Sequence, residues 1–91
     1  MKWLFDLESD GLLAEATKLH CAVAKNLDTG EIVSFTPHTG FDGFLNLLEQ
    51  TTLLVGHNLI GFDLPLIQKL YPGFQYSAVV RDTLVMARLM A

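Results

Sequence analysis

Three acidic residues stand where carboxylates are costly to place. Asp6 and Glu8 lie two apart in Trp3-Leu4-Phe5-Asp6-Leu7-Glu8, and Asp63 closes the segment His57-Asn58-Leu59-Ile60-Gly61-Phe62-Asp63. The first segment alternates with period two, as a strand does. Trp3, Phe5 and Leu7 fall on one side, and Leu4, Asp6 and Glu8 on the other. Side chains two apart on a strand point the same way, roughly 6–7 Å apart. Two carboxylates are therefore offered side by side at the end of an apolar strand. Asp is a poor strand former, and a buried unpaired carboxylate is strongly unfavourable. A hard divalent cation such as Mg²⁺ is the simplest compensating partner. The alternative is that both sit at a fraying strand end, solvated or capping the next turn.

Asp63 has its own pair of readings. It stands where a helix is expected to begin, just past the carboxyl end of a central strand, and crevices at strand carboxyl ends bind ligands in open α/β sheets. Asp is also a favoured N-cap residue, worth about 1 kcal/mol. If the two strands are neighbours, Asp6, Glu8 and Asp63 converge. Three carboxylates in one cleft repel each other unless cations sit between them. Such a cleft suits two metals about 3.5–4 Å apart, which activate water and stabilise the leaving oxygen of a phosphodiester. His57 and Asn58 read as loop polar groups bonding nearby backbone. No second His or Cys stands at ligand spacing from His57, and His20 and His38 have no assigned role.

The elements that must position these groups follow from periodicity and turn chemistry. Strands are expected over 2–8, 19–24 and 31–36, with Asp10-Gly11 ending the first. Residues 12–16 form a loop or a single helical turn, and Asn26-Leu27-Asp28-Thr29-Gly30 is a turn. These three strands make an antiparallel meander. Thr39-Gly40-Phe41-Asp42 resembles a capping box, and Phe41, Phe44, Leu45 and Leu48 mark an amphipathic helix to about residue 50. A strand over 52–56, apolar enough to be covered on both faces, leads to the loop at 57–62. A helix over 63–70 carries Pro65 in its first turn. A fifth strand at 78–81 precedes a last helix opened by Asp82-Thr83. The order β-β-β-α-β-α-β-α predicts an α/β mixed sheet, three antiparallel strands and then parallel ones, with helices on its faces.

Ninety-one residues make one domain, and 51% are hydrophobic, which argues for a packed core. That is more apolar content than so short a chain readily buries, and the last residues run on in a helical pattern without a stop signal. Both lead us to expect truncation or self-association, including a homodimer. The net charge is −4 and the six Lys and Arg residues are scattered, so no cationic surface for nucleic acid is expected. A metal-loaded site would supply positive charge instead. The one cysteine, Cys21, is expected as a buried thiol in a reducing, cytoplasmic compartment. No apolar run is long enough to span a bilayer.

Read as motifs, Phe5-Asp6-Leu7-Glu8-Ser9-Asp10-Gly11-Leu12 resembles the first motif of the DEDD-type 3′–5′ exonucleases. His57-Asn58-Leu59-Ile60-Gly61-Phe62-Asp63 resembles the second. Val80-Arg81-Asp82-Thr83-Leu84-Val85-Met86-Ala87-Arg88-Leu89 is similar to the strand-to-helix segment beyond it. The wording is most similar to the proofreading domains of family A DNA polymerases of T-odd-type phages, and Leu12-Leu13-Ala14-Glu15-Ala16-Thr17-Lys18-Leu19-His20-Cys21 strengthens that match. The resemblance covers nearly all 91 residues. It implies a ribonuclease H-like fold and two-metal removal of a 3′-terminal nucleotide from single-stranded DNA, in a bacterial or phage-infected cell. Asp6, Glu8 and Asp63 would hold Mg²⁺ or Mn²⁺. Asn58 would contact the substrate or orient the carboxylates, Leu12 or Leu13 would pack on the terminal bases, and Phe62 would line the cleft.

The resemblance stops at the family's third motif, a Tyr or His followed by a fourth metal-binding Asp. Tyr71 and Tyr76 lack an Asp at the right distance. Asp82 comes too early, and by resemblance it is the structural Asp that begins the helix after strand five. The chain therefore resembles the amino-terminal part of an exonuclease domain, and the resemblance would place a polymerase domain in the parent, which the residues themselves leave open. The alternative is a catalytically inactive remnant or assembly module of the same fold.

Overall fold

The computed structural model describes residues 1–84. The strands are β1 (Lys2–Ser9), β2 (Leu19–Asn26), β3 (Ile32–Phe35), β4 (Leu53–Gly56) and β5 (Val79–Asp82). The helices are α1 (Asp42–Gln50) and α2 (Leu64–Leu70), with a π-helical turn, Leu59–Asp63, leading into α2. Most of the helix expected to open at Asp82-Thr83 falls on residues 85–91, outside the described residues.

The strands form one sheet in the order β3-β2-β1-β4-β5. β1 pairs antiparallel with β2 and parallel with β4, so the two strands that lead to the acidic residues are neighbours. β2–β3 is antiparallel and β4–β5 parallel. This is the mixed, ribonuclease H-like sheet expected from the sequence. The β2–β3 turn is built by Asn26, whose Oδ1 accepts the N–H groups of Asp28 and Thr29, and by Gly30 at φ 81°.

The period-two pattern of β1 sets the layers. Trp3, Phe5 and Leu7 are buried in one cluster with Phe44 and Leu48 of α1 and with Leu64, Leu66 and Ile67 of α2. Phe44 meets Phe5 edge-on, with ring centroids 5.7 Å apart. Both helices thus cover the same face. The expectation of a strand β4 covered on both faces is not met among the described residues: Leu54 and Gly56 are buried, but Leu53 and Val55 are only half-buried. Handedness explains this. β3–α1–β4 and β4–α2–β5 both link parallel strands and both step in the same direction across the sheet. Right-handed crossovers then put both helices on one side. On the other side Leu4, Val23, Ile32 and Val79 remain exposed.

The capping box expected at Thr39 does not form. Phe41 precedes α1 without a side-chain cap, and Thr39 Oγ1 is engaged with the Thr36 backbone instead. That turn closes before the helix begins, so the hydroxyl is already committed.

Gly56 is the close approach of the sheet. A Cβ there would lie 2.9 Å from the Phe5 carbonyl oxygen and would strike the Leu59 side chain. Gly56→Ala should therefore destabilise the chain by about 1–3 kcal/mol, read as a lower urea midpoint. An unchanged midpoint would show that β1 and β4 can part here without penalty.

Candidate metal and strand site

The site is assembled at the carboxyl ends of β1, β4 and β5. On β1, Asp6 and Glu8 take the face away from the helices, opposite Val23 and Cys21 of β2. Pairing shifts between Glu8 and Ser9, so the ladder is interrupted beside Glu8. Both carboxylates are exposed. Glu8 engages Cys21, whose thiol is pushed above its ordinary range by burial, by the charges of Glu8 and Asp6, and by bonding to Glu8. Cys21 is half-buried rather than buried, because the β1–β2 register places it opposite Glu8 on the face that α1 and α2 leave uncovered.

Asp63 does not cap α2. Its backbone is already helical, at φ −61° and ψ −50°, and its side chain makes no capping bond. Pro65 in the first turn also removes an N–H that a cap would take. The carboxyl group instead turns inward and is only 4% exposed, with Oδ2 unpartnered. Burial, then the charges of Asp6 and Asp82, push its pKa up to about 7, with the Leu7 backbone pulling the other way. The structure thus brings Asp63 and Asp6 within electrostatic reach. Among the described residues no three His, Cys, Asp or Glu side chains form a ready-made cage, and Glu8 lies toward Cys21. The donor set still suits a hard divalent cation: an orphaned buried carboxylate oxygen beside a second carboxylate is the environment a cation relieves.

The segment that delivers Asp63 is held by Asp82. Asp82 is buried at the end of β5, directly opposite Gly56 of β4. Its carboxylate accepts the N–H groups of Asn58 and Ile60, each at 2.8 Å, and of Leu84 at 3.0 Å. The loop expected at 57–62 is therefore a wound turn. Asn58 starts it in the left-handed region at φ 63°, which Asn tolerates better than most residues. A Cβ at Gly61 would collide with Asn58 Oδ1, so the Asn58 amide lies over the Gly61 backbone. π-Turns of this kind concentrate at functional sites. Asp82 was legible only as a helix-opening residue; its grip on the turn needs the β4–β5 register.

Residues 10–18 present the two leucines. The segment is the single-turn alternative: Glu15 and Ala16 both donate to the Leu12 carbonyl. Asp10 accepts from the Thr17 hydroxyl, the Thr17 N–H and the Lys18 N–H, which holds it well below the usual carboxylate range. Lys69 of α2 donates to the carbonyls of Leu13 and Ala14 at 2.8 and 3.1 Å. On this pinned turn Leu12 is 73% exposed, while Leu13 packs against the core. Phe62 also packs partly against the core. Beside the acidic site, Leu4, Phe5, Asp6, Val23, Lys25 and His57 line a concavity of about 660 Å³ on the open sheet face. No helix among the described residues is long and apolar enough to cross a membrane.

No family model matches the chain. It is 38% identical over 69 residues to the DNA-directed DNA polymerase of Escherichia phage T7. It is 36% identical over 69 residues to the DNA-directed DNA polymerase of Enterobacteria phage T3. Each match takes in 71% of this chain and 10% of the polymerase, so the chain spans about a tenth of the length of these relatives. Among solved structures, the family B DNA polymerase of the hyperthermophilic archaeon Pyrobaculum calidifontis shares the fold. The TM-score is 0.72 at 16% identity, over 94% of this chain and 16% of that one.

Proposed function

We propose that this chain, related in sequence to a segment of phage DNA polymerases, is the metal-holding part of a 3′–5′ exonuclease domain acting on the 3′ end of single-stranded DNA. The observation that carries the reading is the buried, unpartnered Asp63 Oδ2 beside Asp6. Asp6, Glu8 and Asp63 would hold Mg²⁺ or Mn²⁺, which when bound supplies activation of water and neutralisation of charge at the scissile phosphodiester. The chain's own residues do the rest of the holding. Asp82 keeps the turn wound so that Asp63 faces β1. Leu12, exposed on a turn pinned at both ends, offers an apolar contact to an unstacked terminal base, a sequence-tolerant way to grip a single strand. Phe62, partly packed against the core, would line the cleft by the family resemblance, and Asn58 braces the turn against Gly61. By the resemblance, hydrolysis would also draw on a further carboxylate, the family's fourth.

A Mn²⁺ titration followed by amide resonances tests the metal site. Paramagnetic broadening should centre on Asp6, Glu8 and Asp63 and should vanish in Asp6→Ala. No localised broadening in the folded chain would sink the reading.

One observation favours a second reading, an inactive module of the same fold that pairs with a second copy. Leu4, Val23, Ile32 and Val79 leave an apolar sheet face bare among the described residues. This reading expects a dimer in sedimentation and no metal response.

A further inference from the structure

Four side chains in the concavity of the open sheet face stand in a defined pattern. Leu4 and Asp6 of β1 and Val23 and Lys25 of β2 all line it, and all four are exposed. The β1–β2 register sets Leu4 opposite Lys25 and Asp6 opposite Val23. Residues opposite each other on a ladder share a face, and so do residues two apart along a strand. The four therefore mark the corners of a rectangle. Leu4 and Val23 occupy one diagonal, and Lys25 and Asp6 occupy the other. Among the described residues no ion pair within the chain engages Lys25.

Such a pattern is complementary to itself. A two-fold axis along the Leu4–Val23 diagonal turns a second copy over so that Leu4 meets Leu4 and Val23 meets Val23. The same turn lays each Lys25 ammonium over Asp6 of the other copy. An axis along the other diagonal would stack Lys25 on Lys25 and Asp6 on Asp6. An axis along or across the strands would set each charge on an apolar side chain, which is costly. Only the first arrangement joins apolar to apolar and cation to carboxylate, as a self-complementary interface must. A strand spacing of about 4.8 Å and a two-residue repeat of about 6.8 Å put the strands of the two sheets at about 70° to each other, close to the orthogonal class of sheet packing.

We infer that the open sheet face pairs with a second copy of this chain about the Leu4–Val23 diagonal, with Lys25 of each copy on Asp6 of the other. This inference rests on the pairing reading above and gives it a fixed geometry. The exposed Leu4 and Val23 leave water at the centre of the contact, and the two charge pairs set the orientation.

The test is sedimentation of the full chain over a concentration series at low salt without divalent cation. The wild type should reach a dimer. Lys25→Glu and Asp6→Lys should each weaken it about tenfold or more, because the two-fold turns every lost attraction into two and adds two repulsions. Both positions are exposed, so neither substitution removes a core contact. An equimolar mixture of the two variants is the deciding measurement. Lys25 of the Asp6→Lys chain then faces the native Asp6 of the other, and the two introduced side chains face each other with opposite charge. The mixture should form a one-to-one dimer about as tight as the wild type, which misfolded variants could not do. A dimer that both variants keep, or a mixture no tighter than either variant alone, overturns this geometry and leaves the pairing reading standing. A wild type that stays monomeric throughout overturns both.

Discussion

Replacing Asp82 by alanine should lower the stability of the chain by about 3 kcal/mol and unwind the turn that carries Asn58 and Asp63. The carboxylate accepts backbone N–H groups from Asn58, Ile60 and Leu84, all partly buried. Each buried donor left without a partner costs about 1–3 kcal/mol, and some of that is recovered as water enters. Against the ~5–15 kcal/mol that small domains have in hand, the loss is large. It should also be local. Amide hydrogen exchange at Asn58 and Ile60 should accelerate well beyond the global change, because these two N–H groups lose the Asp82 carboxylate as acceptor. In the same variant Asp63 should lose its inward placement, and Mn²⁺ broadening should weaken although no proposed ligand has been altered. Unchanged exchange at Asn58 and Ile60 would show that the turn is wound by its own backbone bonds and that Asp82 is incidental to it.

The second large effect concerns Asp63 and has a definite sign. Its pKa rises from 3.8 to about 7 in the folded chain, chiefly through burial and then through Asp6 and Asp82. Below the ordinary carboxylate range, folded and unfolded chains both hold the proton and stability is unaffected. As pH rises toward neutrality the unfolded chain releases it first, so the metal-free folded state loses stability across that window. At about 1.4 kcal/mol per unit, the loss is on the order of a few kcal/mol by mildly alkaline pH. Asp63→Asn removes the titrating group while keeping an acceptor for the Leu7 backbone. The variant should show a flat profile and should be more stable than the wild type above neutrality in the absence of metal. Saturating Mg²⁺ or Mn²⁺ should reverse the order, adding about 2.7 kcal/mol to the wild type at a hundredfold excess over Kd and nothing to the variant. Urea midpoints across the pH range, with and without cation, check both halves. A flat wild-type profile would show that Asp63 is not held in a site that disfavours its charge.

The strand elements were legible in the sequence because their signals are local. Alternation in Trp3-Leu4-Phe5-Asp6-Leu7 identifies both β1 and the face that carries Asp6, since neighbouring strand residues must point to opposite sides. The turn at Asn26-Leu27-Asp28-Thr29-Gly30 is written in residues that bond their own backbone or accept a positive φ. The relationship to phage polymerases was also legible, because motif residues keep their spacing whatever packs around them.

What only the tertiary structure decided depends on pairs far apart in the chain. Whether Asp63 caps a helix or faces β1 turns on the wound turn before it, and Asp82 holds that turn from 24 positions beyond Asn58. Propensity rules favour an N-cap for an Asp in that place, and they contain no term for a carboxylate arriving from β5. The bare sheet face likewise follows from two crossovers stepping the same way across the sheet, which no single segment encodes. The local code specified which side chains could do chemistry. The β4–β5 register and the handedness of the connections decided which of them would meet.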